Sequence, residues 1–280
     1  MGTPTVEQVA QAPHPRIGPF VAEYVGYRLS GFAPGTYVGM PSRFITFVVP
    51  FGDPLDVSTG PGDADRERYW GLLAGLHSHP AMIHHQGDQH GVELAVTPLG
   101  ATALFGLPAA ELASSHVHLD QVAPQWADEM IERLTEAESW QARWAVVDHV
   151  LTRFVREDAR LAPQLEQAWT VLAASHGATR VDQLARDVGW SRRHLNRRFQ
   201  AEYGLTPKVM GRVFRFEQTQ KLLRRPDRPS LSTVAALCGY ADQAHLTREW
   251  NQFAGIPPSA WITAHKVPNV QDNPDPVLSS

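Results

Sequence analysis

Between Phe20 and about Val96 the apolar residues come in short runs, such as Phe44-Ile45-Thr46-Phe47-Val48-Val49 and Val92-Glu93-Leu94-Ala95-Val96. Turn-forming triplets such as Ala33-Pro34-Gly35 and Gly52-Asp53-Pro54 separate them. This spacing predicts a β-rich unit, a small barrel or sandwich, with Gly60–Arg66 as an exposed loop. After Thr97-Pro98 the period lengthens to that of a helix. A short helix is expected over Leu99–Phe105, stopping at Gly106, and longer ones over 124–136 and 139–157. Trp140, Trp144, Val147, Leu151 and Phe154 form one stripe, read as packing that covers the barrel or forms a dimer surface. Residues 1–15 read as a polar, loose leader, and residues 267–280, with three prolines, as a disordered tail.

The second half of the chain repeats itself. Val181/Leu231, Ala185/Ala235, Gly189/Gly239 and Trp190/Tyr240 are 50 residues apart. Leu195/Leu246, Phe199/Trp250, Gly204/Gly255 and Pro207/Pro258 are 51 apart, the extra residue falling in a turn. Each copy has the grammar of a helix-turn-helix. A short amphipathic helix ends at a glycine able to adopt the left-handed conformation, and Ser191 or Asp242 is placed to cap the helix that follows. Small Ala185 and Ala235 let the two helices approach, while Leu195 with Phe199, and Leu246 with Trp250, face inward. Between the copies, Val209, Val213, Phe216, Leu222 and Leu223 predict one helix over Pro207–Arg225, about 27 Å long at ~1.5 Å per residue. A rod of that length could hold two recognition helices about one turn of DNA, ~34 Å, apart.

The outward faces of the second helices carry the chemistry. The first presents Arg192, Arg193, Asn196 and Arg197, with Arg198 alongside. Arginine can grip the two acceptors of guanine, asparagine can do the same for adenine, and neighbouring arginines can clamp phosphates. The second presents Gln243, Ala244, Thr247 and Arg248, suited to adenine, a thymine methyl, a phosphate and guanine. Charge supports a polyanionic partner for this half only. Residues 1–160 hold 10 Lys+Arg against 19 Asp+Glu, a net −9, and residues 161–280 hold 15 against 10, a net +5. The stretch 180–228, with 13 basic and 5 acidic side chains, reaches +8.

Composition narrows the remaining classes. An apolar share of 43% over 280 residues suffices for two packed domains, expected at 16–160 and 161–266. No window approaches the ~20 apolar residues of a membrane helix, and the N-terminus has no signal-peptide pattern. A single cysteine, Cys238, excludes an intramolecular disulfide framework and fits a cytoplasmic setting. It is read as a small inward-facing apolar residue rather than a redox group.

The second copy, Ser232-Thr-Val-Ala-Ala-Leu-Cys-Gly-Tyr-Ala-Asp-Gln-Ala-His-Leu-Thr-Arg-Glu-Trp followed by Gly255-Ile-Pro-Pro258, strongly resembles the signature of AraC/XylS-type transcription regulators. The resemblance covers about residues 163–265. It implies a seven-helix DNA-binding domain in which Arg193, Asn196 and Arg197 of the first unit, and Gln243, Ala244, Thr247 and Arg248 of the second, face bases. Leu246 and Trp250 stand where phenylalanine is usual, and Trp261-Ile262 replaces a common aromatic-Arg ending, which removes one phosphate contact. More loosely, the segment from Thr97 to Leu112 resembles the strand-to-helix junction of sensor domains in this family, implying a cupin-like β-barrel followed by helices. The overall expectation is therefore α+β, with an N-terminal sensor and an all-α double helix-turn-helix domain. The expected partner is double-stranded promoter DNA. RNA polymerase (for an activator), a small-molecule effector and a second copy in a homodimer are further candidates; no catalytic residue, cofactor or membrane is expected.

Five histidines lie within residues 77–90: His77, His79, His84, His85 and His90. On a strand His77 and His79 would share a face, and with Glu93 they could suit zinc or iron in a cupin-type enzyme fused to the DNA-binding module. The reading preferred here is an exposed hairpin around Gln86-Gly87-Asp88 that binds no metal, because no complete ligand set is legible.

Overall fold

Apolar alternation in the first half is realised as ten strands in two antiparallel sheets. They are β1 (Thr5–Gln11), β2 (Val21–Ser30), β3 (Gly35–Gly39), β4 (Ile45–Pro50), β5 (Leu55–Ser58), β6 (Glu67–Tyr69), β7 (Leu72–Ala74), β8 (Ala81–His85), β9 (Gln89–Val96) and β10 (His116–His118). This computed structural model describes residues 4–59 and 65–264, so most of the expected 60–66 loop and the 267–280 tail lie outside the described residues. The six-stranded sheet runs β1-β2-β9-β4-β7-β10 and the four-stranded sheet β3-β8-β5-β6. Among the described residues no strand bonds across from one sheet to the other, so the unit is an open sandwich and not the closed barrel anticipated.

Strand β4 shows why the pattern is nearly continuous rather than alternating. Ile45, Phe47 and Val49 point to a helical layer, and Val48 points to the second sheet, so both faces are buried. The inter-sheet layer is filled by Val25, Tyr27, Val48, Leu55, Val57, Leu72 and Ile83. On the other face of the larger sheet, Phe47 meets Trp126 with ring centroids 6.1 Å apart, and Tyr24 stacks on Trp144 at 6.0 Å.

Three departures from the sequence reading have physical causes. The supposed loose leader contains β1, which pairs with β2 over seven residues from Thr5↔Ser30 to Gln11↔Tyr24. As an edge strand it satisfies its backbone on one side while its side chains remain largely exposed, so composition carries no apolar signal. His77 and His79 lie in the loop between β7 and β8 rather than on a strand, with ring centroids 5.7 Å apart. The turn at Gln86-Gly87-Asp88, with Gly87 at φ +113°, carries the chain from one sheet to the other and is no hairpin, because β8 pairs with β3 and β5 while β9 pairs with β2 and β4.

The helical layer begins with α1 (Pro98–Gly100), capped by the Thr97 hydroxyl, which accepts from the Gly100 N–H at 3.0 Å. It continues as a π-helical turn over Ala101–Phe105 that ends at Gly106 with φ +75°. Then come α2 (Ala109–Leu112), α3 (Leu119–Val122), α4 (Ala127–Glu136) and α5 (Trp140–Phe154). The aromatic stripe of α5 lies on the larger sheet. Trp144, Val147 and Leu151 are buried, and Trp140 packs against β2 at Gly26, where a Cβ would collide with the indole. Seven further helices follow among the described residues: α6 (Pro163–Ala174), α7 (Val181–Asp187), α8 (Arg192–Tyr203), α9 (Pro207–Arg224), α10 (Leu231–Leu237), α11 (Gln243–Ala254) and α12 (Pro258–Ala264).

Helix α9 is tied to α11 by a buried charge cluster. Glu249, 5% exposed, accepts from Arg212 Nε at 2.6 Å and from Arg215 Nη2 at 2.8 Å. The two guanidiniums also lie over the Phe253 and Tyr240 rings at 4.9 and 4.7 Å. Removing the carboxylate would leave two partly desolvated cations facing each other. Glu249→Ala is therefore expected to destabilise the fold by about 3 kcal/mol in urea unfolding, whereas an exposed substitution such as Gln200→Ala should change it by less than ~0.5 kcal/mol.

A second prediction concerns pH. His77 is buried, its Nδ1–H donates to the Gly75 carbonyl at 2.8 Å, and its Nε2 has no partner among the described residues. Burial pushes its pKa down to about 4, with nearby His79 and His116 acting in the same direction. The unfolded chain takes up this proton near pH 6.5 and the folded protein does not. The His77 contribution is thus intact above pH 6.5, declines as pH falls and levels off near pH 4, amounting to on the order of 3 kcal/mol. Melting curves should show His77→Gln losing less stability than the parent between pH 7 and pH 4.5.

Candidate nucleic-acid interface

The two repeats close their turns with the same backbone hydrogen bond. Trp190 N–H donates to the Ala185 carbonyl and Tyr240 N–H to the Ala235 carbonyl, each at 2.9 Å. Gly189 and Gly239 precede these residues at φ +72° and +73°, in the left-handed region where an L side chain is strained. Ser191 Oγ then accepts from His194 N–H at 3.2 Å, and Asp242 Oδ1 from His245 N–H at 2.6 Å, capping α8 and α11. Leu195, Phe199, Leu246 and Trp250 are all fully buried, which fixes the rotation of each helix about its axis.

That rotation turns the polar residues outward. Arg192, Arg193, Arg197 and Arg198 are exposed and Asn196 is half-buried. On α11, Gln243, Ala244 and Arg248 are exposed, and half-buried Thr247 donates its hydroxyl proton to the Gln243 carbonyl at 2.9 Å. Arg193, Asn196 and Arg197 share a face by their i, i+3, i+4 spacing, as do Gln243, Ala244, Thr247 and Arg248. Arg192 rests 3.4 Å from Asp182, and the Arg197 guanidinium is 3.4 Å from His194 Nδ1. Neither contact covers the outward face.

One exposed arginine of each unit, Arg192 and Arg248, reaches a common cleft. Arg192 from α8 and His245 and Arg248 from α11 line it together, with Lys208, Arg212 and Arg215 of α9 between them. Arg180, just before α7, forms part of its wall. Sequence reasoning missed Arg180, Lys208 and Arg212. The recurrence of basic residues at 208, 212 and 215 on one face of the linker was the available signal. It also overstated the usable charge, because Glu249 neutralises part of Arg212 and Arg215. Arg180 and Lys208 are exposed and form no ion pair among the described residues.

The other candidates resolve simply. Cys238 is buried and its thiol is pushed up by burial, as suits a packing residue. Trp250 and Trp261 pack ring to ring at 5.0 Å in the core of the second unit. His90 packs between Phe51 and Trp140, away from the His77–His79 loop. Among the described residues no group of three His, Cys, Asp or Glu side chains could hold a metal ion. No helix among them is long and apolar enough to cross a membrane.

Comparison with known proteins agrees with this geometry. Residues 184–264 match a family model described as a helix-turn-helix domain. No match was found among curated proteins. Over 92% of this chain and 98% of the other, the fold resembles ToxT from Vibrio cholerae at 9% identity and a TM-score of 0.50. An AraC-type DNA-binding regulator from Chromobacterium violaceum is similar over 38% of this chain and 96% of its own, with 24% identity and a TM-score of 0.35. The DNA-binding domain of the transcriptional factor AdpA, solved in complex with a target DNA, is similar over 37% of this chain and 93% of its own, with 30% identity and a TM-score of 0.34. Residues 184–264 therefore form a helix-turn-helix domain of the matched family, within a chain whose overall fold resembles that of ToxT.

Proposed function

We propose that α8 and α11 enter two successive major grooves of one promoter duplex. The observation that carries this reading is the shared cleft: Arg192 and Arg248, from different units, line it on either side of α9. Arg193, Asn196 and Arg197 then read base edges in the first groove, and Gln243, Ala244, Thr247 and Arg248 read the second. Arg192 and Arg198 hold flanking phosphates, and Arg180 and Lys208 hold the backbone that crosses between the grooves. The first unit, with four exposed arginines, supplies most of the affinity. The second unit refines register.

Residues 16–160 act as the controlling domain and 161–266 as the reader, in a cytoplasmic, non-enzymatic protein. The space between the sheets, lined by Tyr27, Tyr37, Thr46, His77, Glu93 and His116 among apolar neighbours, is only about 50 Å³, so a small effector with hydrogen-bonding groups would enter only as the two sheets part. RNA polymerase contact and homodimerisation are further proposals for the DNA-bound state.

Two expectations follow from sorting the side chains into base and phosphate contacts. Selection of bound genomic fragments would supply the target site. On that site Arg197→Ala should cost about 1–3 kcal/mol and relax preference at one base position, measured by fluorescence anisotropy on single-base variants. Equal affinity of variant and parent would remove Arg197 from the reading face. Lys208→Ala should instead weaken all sequences alike and flatten the slope of log K against log salt by about 1.

A further inference from the structure

Three contacts between the N-terminal and DNA-binding domains bear on the placement of the recognition helices. The first lies on the strut. Arg43, in the β3–β4 loop, presents its backbone N–H to Glu217 Oε1 at 2.7 Å and its Nε–H to Glu217 Oε2 at 2.6 Å. The Arg43 guanidinium also lies over the Phe214 ring at 4.7 Å, and Gln220 Nε2 reaches Met40 Sδ at 3.5 Å. Glu217 and Phe214 are on α9, while Lys208, Arg212 and Arg215 of the same helix line the cleft, so the linker is gripped away from the side that faces the cleft.

The other two points are the ends of the reading helices. Gly204 closes α8, and a Cβ there would collide with Ala113, next to α2. Gly255 closes α11, and a Cβ there would lie 3.4 Å from Pro80, in the loop before β8. Strut and both recognition helices therefore all contact the N-terminal domain. None of these contacts involves an outward residue of α8 or α11, all of which stay exposed or half-exposed with the domains docked.

We propose that Arg43 is a positioning residue for bipartite DNA recognition, and that the N-terminal domain is a brace that sets the separation of the two recognition helices. Held at fixed spacing, the second helix meets its groove as an intramolecular event at high effective concentration. Freed, it searches a range of spacings, and binding to the paired site weakens. The brace also gives the sensor a route to the DNA, because Gly39 and Thr46 flank the Arg43 loop, Ala81 follows Pro80, and all three line the inter-sheet space. The inference rests on the two-groove reading above.

The test compares two duplexes, one carrying both half-sites and one with the distal half scrambled. In the full-length protein, Arg43→Ala should weaken two-site binding about 5- to 20-fold and leave one-site binding unchanged. The charge-exchanged pair Arg43→Glu with Glu217→Arg should restore most of the loss. Ala113→Glu, which disturbs the α8 support from the N-terminal side, should reproduce the Arg43→Ala pattern with no change in the α9 contacts. Unchanged or tighter two-site binding by both single variants, or equal loss on both duplexes, overturns the brace. A parent that binds the two duplexes equally would instead remove the two-groove reading itself.

Discussion

The geometry of the C-terminal half rests first on α9 and its attachment to α11. A helix-turn-helix unit this small presents only three or four side chains to a groove, too few for selective binding alone. Two units become selective together only if their separation is fixed to a fraction of a base-pair rise. Glu249 provides much of that constraint, since one buried carboxylate satisfies two guanidiniums on the strut and anchors the second reading helix to it. The first unit is fixed by apolar packing instead: Trp169 of α6 contacts Phe199, Tyr203 and Phe214 together, with centroids 6.2, 4.7 and 5.3 Å away.

The sandwich contributes a second kind of constraint. It is a layered body in which the larger sheet carries helices on one face and the smaller sheet on the other. Its loops and the helix α2 beside it touch the C-terminal helices. The Met40–Arg43 stretch and Pro80 both lie beside strands that enclose the inter-sheet space, so a change in that space need travel only one or two residues to reach α9 or α11. His77, with one ring nitrogen lacking a partner among the described residues, lines the same space.

What the sequence disclosed follows from the strength of each local signal. The repeat was legible because glycine stops, caps and buried pairs recur at fixed spacing, and each is enforced by backbone chemistry. The linker was placed at Pro207–Arg225 and observed at Pro207–Arg224 for the same reason. The edge strand β1 was invisible because pairing on one side needs no apolar face. The histidine-rich turn misled because period two holds only on a strand, and His77 and His79 occupy a loop. Open sandwich and closed barrel share one alternation, and only strand pairing separates them. Arg180 and Lys208 escaped notice because the cleft they line is made by elements far apart in sequence.

The measurement that bears most directly on the central claim is affinity for a target duplex in which five base pairs are inserted between the half-sites. Such an insertion turns the second groove to the opposite side of the helix, about half a turn away. The account predicts that binding falls to the level of a single half-site, and that a ten-base-pair insertion does no better, because a rigid strut cannot span the added length. Affinity that survives either insertion would contradict a fixed pair of reading helices.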